Sequence, residues 1–337
     1  MFAPRTHKPA TSGDVARLAG VSRATVSFVL NDKQGARISE DTRRRVQLAA
    51  EELNYTPNNS ARQLRRNGGV EGLLIPAPVL GFGGAMDAAF ALIARHSADA
   101  GLPTIVHADH DIAGVEGARV WASYRPEAVL VETLRCDAPA TEVLRRAGVR
   151  ALLLMGSHPV PHAPCLVIDQ RLYGQRAVES LAAKGHHRLA WLHPADSSIA
   201  EFALQRRAGA QEAAARLGLS LNLVSMDADP RSLKDWARGW RDANDRPTAA
   251  IAYDDRFAYT AIRALFDTGL SVPRDIAVLG ADDYATSSVF LPSVTTIAFN
   301  AEDMADLILG TITRMIVGET PPLVSAPPLK VIQRESA

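Results

Sequence analysis

Thr11-Ser-Gly-Asp-Val-Ala-Arg-Leu-Ala-Gly-Val-Ser-Arg-Ala-Thr-Val-Ser-Phe-Val-Leu-Asn31 is the stretch on which the reading of this chain turns. Its spacing predicts two short helices joined by a tight turn. Thr11 is placed as an N-cap, with Asp14 at the third helical position facing the positive end of the helix. Val15, Leu18 and Ala19 share a face at helical spacing. Ala16 is small where a second helix must cross closely, and Gly20 sits where the chain needs a positive φ. Val21 fills the angle between the helices and Ser22 caps the second one. Val26, Val29 and Leu30 point inward, which leaves Arg23, Ala24, Thr25, Ser27 and Phe28 outside. That is the layout of a helix-turn-helix whose second helix enters the major groove. An ordinary helical hairpin has the same spacing, so the flanking segments must decide.

Ser39 caps a third helix whose first turn carries Glu40 and Asp41, and Val46, Ala49, Ala50 and Leu53 give it an apolar stripe. Arg43, Arg44 and Arg45 fit either a solvated face or phosphate contacts. Pro57 stops helix propagation before it. Asn58–Arg66 is polar and basic around one large aliphatic, Leu64, and is too short for a stable isolated helix. It reads as a basic linker, or as a segment that folds on DNA with Leu64 wedged between base steps. Asn67-Gly-Gly69 marks a boundary.

Charge distribution supports a nucleic-acid partner. The chain balances 37 Lys+Arg against 37 Asp+Glu over 337 residues, but residues 1–66 hold twelve basic and six acidic side chains. The head is therefore +6 and the remainder −6, the footprint of a chain that docks phosphate at one end. At this length two or three domains are expected, and a hydrophobic share of 47% supports a large core. No run of about 18 apolar residues occurs, so no membrane span is read. Met1–Pro9 has no apolar run of the kind a secretory signal needs, and a cytoplasmic protein is expected. Cys136 and Cys165 are isolated and read as packing residues.

From Val70 onward short apolar runs alternate with amphipathic stretches. Strands are expected at Leu73–Ile75, Thr104–Val106, Ala128–Val131, Ala151–Leu154, Leu166–Ile168, Leu189–Leu192, Ala249–Ala252 and Ile276–Leu279. Helices are expected at Met86–Ala100, Leu172–Ala183, Ala203–Leu217, Phe257–Thr268 and Met304–Val317. Continuous apolar strands separated by helices imply parallel sheets covered on both faces, in two lobes. Gly81-Phe-Gly-Gly84 lacks the spacing of a phosphate loop and reads as a flexible loop near the lobe interface. His107-Ala-Asp-His110-Asp has no remote partner and reads as a solvated loop rather than a metal site. His186-His187 ends a helix, where a cation meets the dipole. No nucleophile-elbow pattern appears. No catalytic residue, metal or cofactor is expected.

Asp14-Val-Ala-Arg-Leu-Ala-Gly-Val-Ser, Ala24-Thr-Val-Ser, Val29-Leu-Asn31, Ser39–Val46, Glu52-Leu-Asn-Tyr55 and Pro57-Asn58 resemble the N-terminal signature of the lactose-repressor (LacI/GalR) family of bacterial transcription regulators. Ala61-Arg-Gln-Leu64 is similar to that family's hinge helix. More thinly, Lys184–Ala190, Arg206–Gly209, Pro247–Asp255, Gly280–Asp283 and Gln333–Ser336 are similar to its effector-binding core. Two departures stand out: Phe28 replaces an arginine that reads guanine in many members, and the Asp32–Arg37 loop is slightly long.

The resemblance implies a small all-α helix-turn-helix DNA-binding domain at 1–57 and a hinge and linker at 58–69. It implies an α/β two-lobed, periplasmic-binding-protein-like core with parallel, Rossmann-like sheets at 70–337. The N-lobe is expected at about 70–165 plus 297–321, and the C-lobe at about 166–296 plus 322–337. It implies a homodimeric repressor that binds double-stranded operator DNA and leaves it when a small polar, sugar-like effector binds. A co-repressor-dependent regulator taking a nucleobase or nucleoside, and a solute-binding protein without DNA, are the alternatives. The implied DNA contacts are Arg23, Ala24, Thr25, Ser27, Phe28, Asn58, Arg62 and Leu64. The implied effector contacts are Arg206, Asp254, Asp282 and Asp169. Asp254 stands where many members have asparagine, which favours a polyol or cationic ligand because a carboxylate only accepts.

Overall fold

The computed structural model describes residues 10–30, 38–53, 55, 72–76, 83–99, 102–109, 111–195, 199–226, 230–321 and 323–337, with the backbone alone at 230–233 and 242. The chain divides into two compact units, residues 1–68 and 69–337. Asn58, Arg62, Leu64 and the rest of the expected hinge lie outside the described residues, as do Gly81, Phe82 and His110.

In the first unit α1 (Ser12–Ala19) begins with a reciprocal capping box. The Asp14 N–H donates to Thr11 Oγ1 at 3.3 Å, and the Thr11 N–H donates to Asp14 Oδ2 at 2.9 Å. Such a cap contributes about 1 kcal/mol. Gly20, at φ +65°, ends the helix in the left-handed region. Ser22 Oγ then accepts the Thr25 N–H at 3.0 Å and starts α2 (Arg23–Leu30). Ser39 does the same for Thr42 at the start of α3 (Glu40–Glu52). Val15, Ala16, Ala19, Val26, Val29, Val46, Ala49 and Ala50 form the buried centre of the three helices. Leu18 differs from expectation and is exposed. Ala16 and Ala19 lie about 100° and 40° round the helix from Val15, whereas Leu18 lies about 60° the other way, off the narrow stripe that faces α2 and α3.

The second unit alternates strands and helices. Its elements begin β1 (Leu73–Pro76), α4 (Gly84–Asp99), β2 (Thr104–His107), α5 (Gly114–Ser123), β3 (Ala128–Glu132), α6 (Ala138–Arg146), β4 (Ala151–Gly156) and β5 (Cys165–Val167). They continue through α7 (Gln170–Ala183), β6 (Arg188–Pro194), α8 (Ala200–Leu217), β7 (Ser220–Met226), α9 (Pro230–Asp242), β8 (Ala249–Ala252), α10 (Asp255–Asp267) and β9 (Ala277–Leu279). A 3-10 turn (Ala285–Ser288), β10 (Thr296–Ala298), α11 (Ala301–Ile316), β11 (Val324–Ser325) and β12 (Lys330–Ile332) complete the chain. One six-stranded parallel sheet has the order β11-β5-β4-β3-β1-β2, and a four-stranded parallel sheet has the order β7-β6-β8-β9. β10 and β12 pair antiparallel.

All eight expected strands and all five expected helices are present, while α5, α6, α9, β7 and the last three strands extend the expectation. The lobe boundary moves. Leu166 pairs with Met155 and Val324 pairs with Leu166, so β5 and β11 belong to the first sheet, although 166–296 and 322–337 were expected in the C-lobe. Pairing at a sheet edge is set by tertiary crossing, which a short apolar run does not encode. One apolar cluster joins both sheets through Leu73, Leu153, Trp191, Ile251, Leu279 and Ile308. α7 and α8 touch backbone to backbone, because a Cβ on Gly174 or Gly209 would lie 1.9 or 2.0 Å from a carbonyl oxygen of the other helix. That contact brings Arg206 of α8 against the first turn of α7.

Candidate functional site

Two separate surfaces carry chemistry. In the first unit, the face of α2 away from the buried cluster presents Arg23, Ala24 and Phe28 to solvent, with Thr25 and Ser27 half-buried beside them. Thr25 Oγ1 is 2.8 Å from Ser22 Oγ, which fixes its rotamer. Phe28 is 41% exposed, so part of its ring reaches solvent beside Arg23 and Ala24. Of the Arg43–Arg45 run, Arg45 is tied down: Nη1 donates to the Ala19 carbonyl at 3.2 Å and Nε lies 3.3 Å from Asp41. An outward row of a guanidinium, two hydroxyls and an apolar ring is equipped to touch phosphates, base edges and a thymine methyl.

In the second unit the site follows from topology. In parallel α/β sheets ligands collect beyond the C-terminal ends of the strands, where strand order reverses. Reversal occurs between β1 and β3 in one sheet and between β6 and β8 in the other. A cleft of about 590 Å³, open solvent at its mouth included, lies there, and its lining residues follow strand ends: Ile168 and Gln170 after β5, Tyr253 and Asp254 after β8, Asp282 after β9, Phe299 after β10. Met86, Tyr173, Ile199, Phe202, Arg206 and Arg256 complete most of the wall. A smaller recess of about 380 Å³ shares Ile168, Gln170 and Phe202 with it and adds Glu132 and Glu201.

Arg206 is the centre of the cleft. Its Nη1 and Nη2 donate to Asp282 Oδ2 and Oδ1, both at 2.9 Å, a bidentate pair. Nη1 also donates to the Tyr253 carbonyl at 2.7 Å and Nε to Gln170 Oε1 at 2.8 Å. The guanidinium lies between two rings, 4.0 Å from that of Tyr173 and 4.7 Å from that of Tyr253. Burial works against its charge, but Asp282 and the tyrosines outweigh that, and its pKa is held above the ordinary arginine value. Burial pushes the Tyr253 phenol up to about 12, so it stays a hydroxyl donor.

Asp282 sits at φ +80° and Asp283 at φ +52°, a backbone region that costs a non-glycine residue energy. The strain is held by three bonds. The Asp282 N–H donates to the Ile297 carbonyl at 2.8 Å, its carbonyl accepts the Ala85 N–H at 2.6 Å, and Asp283 accepts from Arg334 Nη2 at 2.6 Å. The Ala85 bond latches the loop after β9 onto the N-terminus of α4. Gly84 is thus the first residue of a helix rather than part of a flexible loop, and it is needed there because a Cβ would lie 1.7 Å from the Asp282 oxygen.

Asp254 lines the cleft but is already committed. Its Oδ1 accepts the Phe257 N–H at 3.1 Å and caps α10, while its Oδ2 accepts from Arg256 Nε at 2.9 Å and Nη2 at 2.6 Å. The expected acceptor-only anion is therefore neutralised by a neighbour that sequence reading missed. Partial burial works against a charge on Arg256, and Asp254 more than offsets it, so Arg256 stays cationic. Asp169 does not line the cleft. It is exposed and caps α7 by accepting the Arg171 N–H at 2.9 Å, and its neighbour Gln170 faces the cleft instead. Asp255 is buried behind the wall, where its Oδ2 accepts the Tyr284 N–H at 2.9 Å and the Ser287 hydroxyl at 2.6 Å. Burial pushes its carboxyl up to about 7. His186 bonds Thr248 Oγ1 at 3.0 Å and is held below its usual pKa by burial, so it is not the cation expected at that helix end. Among the described residues no group of three or more His, Cys, Asp or Glu is placed to hold a metal ion.

A helix-turn-helix unit followed by a two-lobed α/β unit with a polar cleft defines a ligand-responsive, DNA-binding transcription regulator. Residues 12–58 match the family described as bacterial regulatory proteins, lacI family, and residues 178–337 match a periplasmic binding protein-like domain. The chain is 29% identical over 319 residues to the ribose operon repressor of Escherichia coli (strain K12), covering 92% of this chain and 94% of that one. It is 31% identical over 299 residues to the lactose operon repressor of the same organism, covering 86% and 80%. Its fold is similar to that of the lac repressor dimer bound to operator and the anti-inducer ONPF, with TM-score 0.73 and 25% identity over 98% and 99% of the two chains. The chain belongs to the lacI family of bacterial regulatory proteins.

Proposed function

We propose that this regulator is a homodimeric repressor that leaves a pseudo-palindromic operator when a small hydroxyl-rich effector enters the cleft around Arg206. The observation that carries the reading is the buried Arg206–Asp282 pair, with the guanidinium between two tyrosine rings, at the strand ends of the four-stranded sheet. The rings steady the guanidinium, and a preorganised arginine–carboxylate pair offers donors and acceptors to adjacent hydroxyls. Two relatives named for ribose and lactose operons are consistent with that ligand class. Arg23, Thr25 and Ser27 read base edges and phosphates, Ala24 and Phe28 meet apolar base edges, and a hinge at 58–69 with Asn58, Arg62 and Leu64 reaches the minor groove. Differential effector affinity for two core states shifts the DNA-binding equilibrium. The protein acts by binding rather than catalysis, and works where the chromosome is.

Operator fragments are selected from genomic DNA with the full chain, and retention is measured by gel shift with and without a sugar panel. Removal of residues 1–66 abolishes sequence-specific retention, and a cognate sugar releases the intact chain. Sequence-specific binding that survives the truncation refutes the assignment of the DNA surface. Release that is unaffected by Arg206→Lys refutes the assignment of the cleft.

A further inference from the structure

We propose that the effector carries an oxyanion, either a carboxylate or a phosphate, and that Arg256 selects it. This rests on the reading of the cleft as the effector site and narrows it. Four charged side chains line the cleft, namely Arg206, Asp254, Arg256 and Asp282. Three of them are already engaged, Arg206 and Asp282 chiefly with each other and Asp254 with Arg256 and a helix N-terminus. Arg206 donates to Gln170, the Tyr253 carbonyl and both oxygens of Asp282. Asp254 is only 1% exposed and uses Oδ1 to cap α10 and Oδ2 to hold Arg256.

Arg256 differs from the other three. Its side chain is 51% exposed, Nε and Nη2 are anchored on Asp254, and the guanidinium lies 5.4 Å from the Tyr284 ring centre. Among the described residues Nη1 makes no hydrogen bond. The cleft thus presents one charged edge with two unspent donors, already held in place, so a ligand orders little on binding it. Two N–H donors in a planar fork match a carboxylate or phosphate oxygen, and the charge-assisted bond is about twice as strong as one to a neutral hydroxyl. α4 brings its N-terminal turn to the same wall through Ala85 and Met86, which adds partial positive charge. The acids that face Arg256 are paired, Asp282 with Arg206 and Asp254 with Arg256 itself, so the four charges cancel and the selection rests on the unspent donors rather than on net charge. The expectation of a cationic ligand, drawn from Asp254 alone, is reversed by the neighbour that neutralises it.

The test is calorimetric titration of the full chain with two matched triplets: ribose, ribonate and ribose 5-phosphate, and galactose, galacturonate and galactose 6-phosphate. An anionic member binds at least tenfold more tightly than its neutral parent, and the carboxylate and phosphate arms identify which oxyanion is taken. The ratio falls to about one in Arg256→Gln and is largely restored in Arg256→Lys, which also keeps the test open if the glutamine variant does not fold. Equal or tighter binding of the neutral parents overturns the proposal and leaves the cleft reading intact. Anion preference that persists in Arg256→Gln overturns it by placing the anion on another cation. Affinities untouched by Arg206→Lys put the ligand outside the cleft and overturn both readings. No binding of any of the six compounds overturns the proposal for sugar acids and sugar phosphates.

Discussion

Gly84→Ala is the sharpest probe of the latch that closes one end of the cleft. A Cβ at Gly84 would stand 1.7 Å from the Asp282 oxygen and 2.6 Å from its carbon, and real Cβ contacts stop near 3.0 Å. The carbonyl must retreat by roughly 1.3 Å, which breaks the 2.6 Å bond it accepts from Ala85. The obstacle is backbone, so no rotamer change relieves it. Losing the bond costs about 1 kcal/mol, and holding alanine at positive φ costs another 1–2 kcal/mol. Gly148→Ala is the control, since its φ of +92° carries backbone strain with nothing within 4 Å of the new Cβ. All four tryptophans, Trp121, Trp191, Trp236 and Trp240, lie in the α/β unit, so tryptophan fluorescence in urea reports that unit alone. Gly84→Ala lowers its stability by about 2–3 kcal/mol against about 1–2 for Gly148→Ala. It also weakens effector binding, because the loop that carries Asp282 is released. Equal losses in the two variants, with effector affinity unchanged, would refute the latch.

Three further outcomes follow from the same geometry. Arg206→Met strands Asp282 and costs about 3–5 kcal/mol in urea unfolding, and Asp282→Asn in the same chain recovers part of that loss; strict additivity of the two would deny the pairing. Asp255 has a folded pKa of about 7, above its unfolded value of 3.8, so its contribution is fully present below about pH 4 and is lost as pH rises through 7. Wild type therefore loses on the order of 4 kcal/mol across that window relative to Asp255→Asn, measured by unfolding at pH 4 and pH 8, and a pH-independent difference between them contradicts the buried acid. Val289 and Leu291 are 77% and 85% exposed on one segment beside Phe290, an apolar face suited to a second copy of the chain. Aspartate at both positions yields a monomer in sedimentation experiments, and an unchanged dimer would place the interface elsewhere.

Local features were legible in the sequence and cross-lobe features were not. The first unit could be read because its signals are local: a Thr11–Asp14 box, a glycine at the turn and small residues at crossing points. Leu18 is exposed despite its helical spacing, because spacing alone does not say how wide the buried stripe of a helix is. In the second unit the strands are legible as apolar runs, but the pairing of β5 with β4 and of β11 with β5, which carries the first sheet past the expected boundary, has no local signature. Position placed Asp254 and Arg206 on the cleft without showing that each already has a partner. Arg256 carried a readable signal, an arginine directly after two aspartates at the end of an apolar strand, where a helix N-terminus meets a switch point. At the start of α7 the acid Asp169 caps the helix and the neighbouring Gln170 faces the cleft, a division that residue type and spacing do not encode.

The segment Gly280–Pro292 gathers the consequences of ligand binding into one piece of chain. Its Asp282 carboxylate holds Arg206, and its Asp282 carbonyl holds the first turn of α4. Its Tyr284 N–H and Ser287 hydroxyl are held by Asp255, the residue next to the one that anchors Arg256. Its far end carries the exposed Val289 and Leu291. A ligand that competes for Asp282 or Arg256 thus pulls on bonds that also fix the latch and the outward apolar face. Packed interiors transmit such shifts because they are not freely compressible. Coupling through this segment makes a distinct demand: Ser287→Ala, at a residue outside the cleft lining, removes the hydroxyl's bonds to Asp255 and Tyr259 and weakens release by effector more than it changes effector affinity. Equal changes in both would reduce Ser287 to a stability residue and send the coupling through another route.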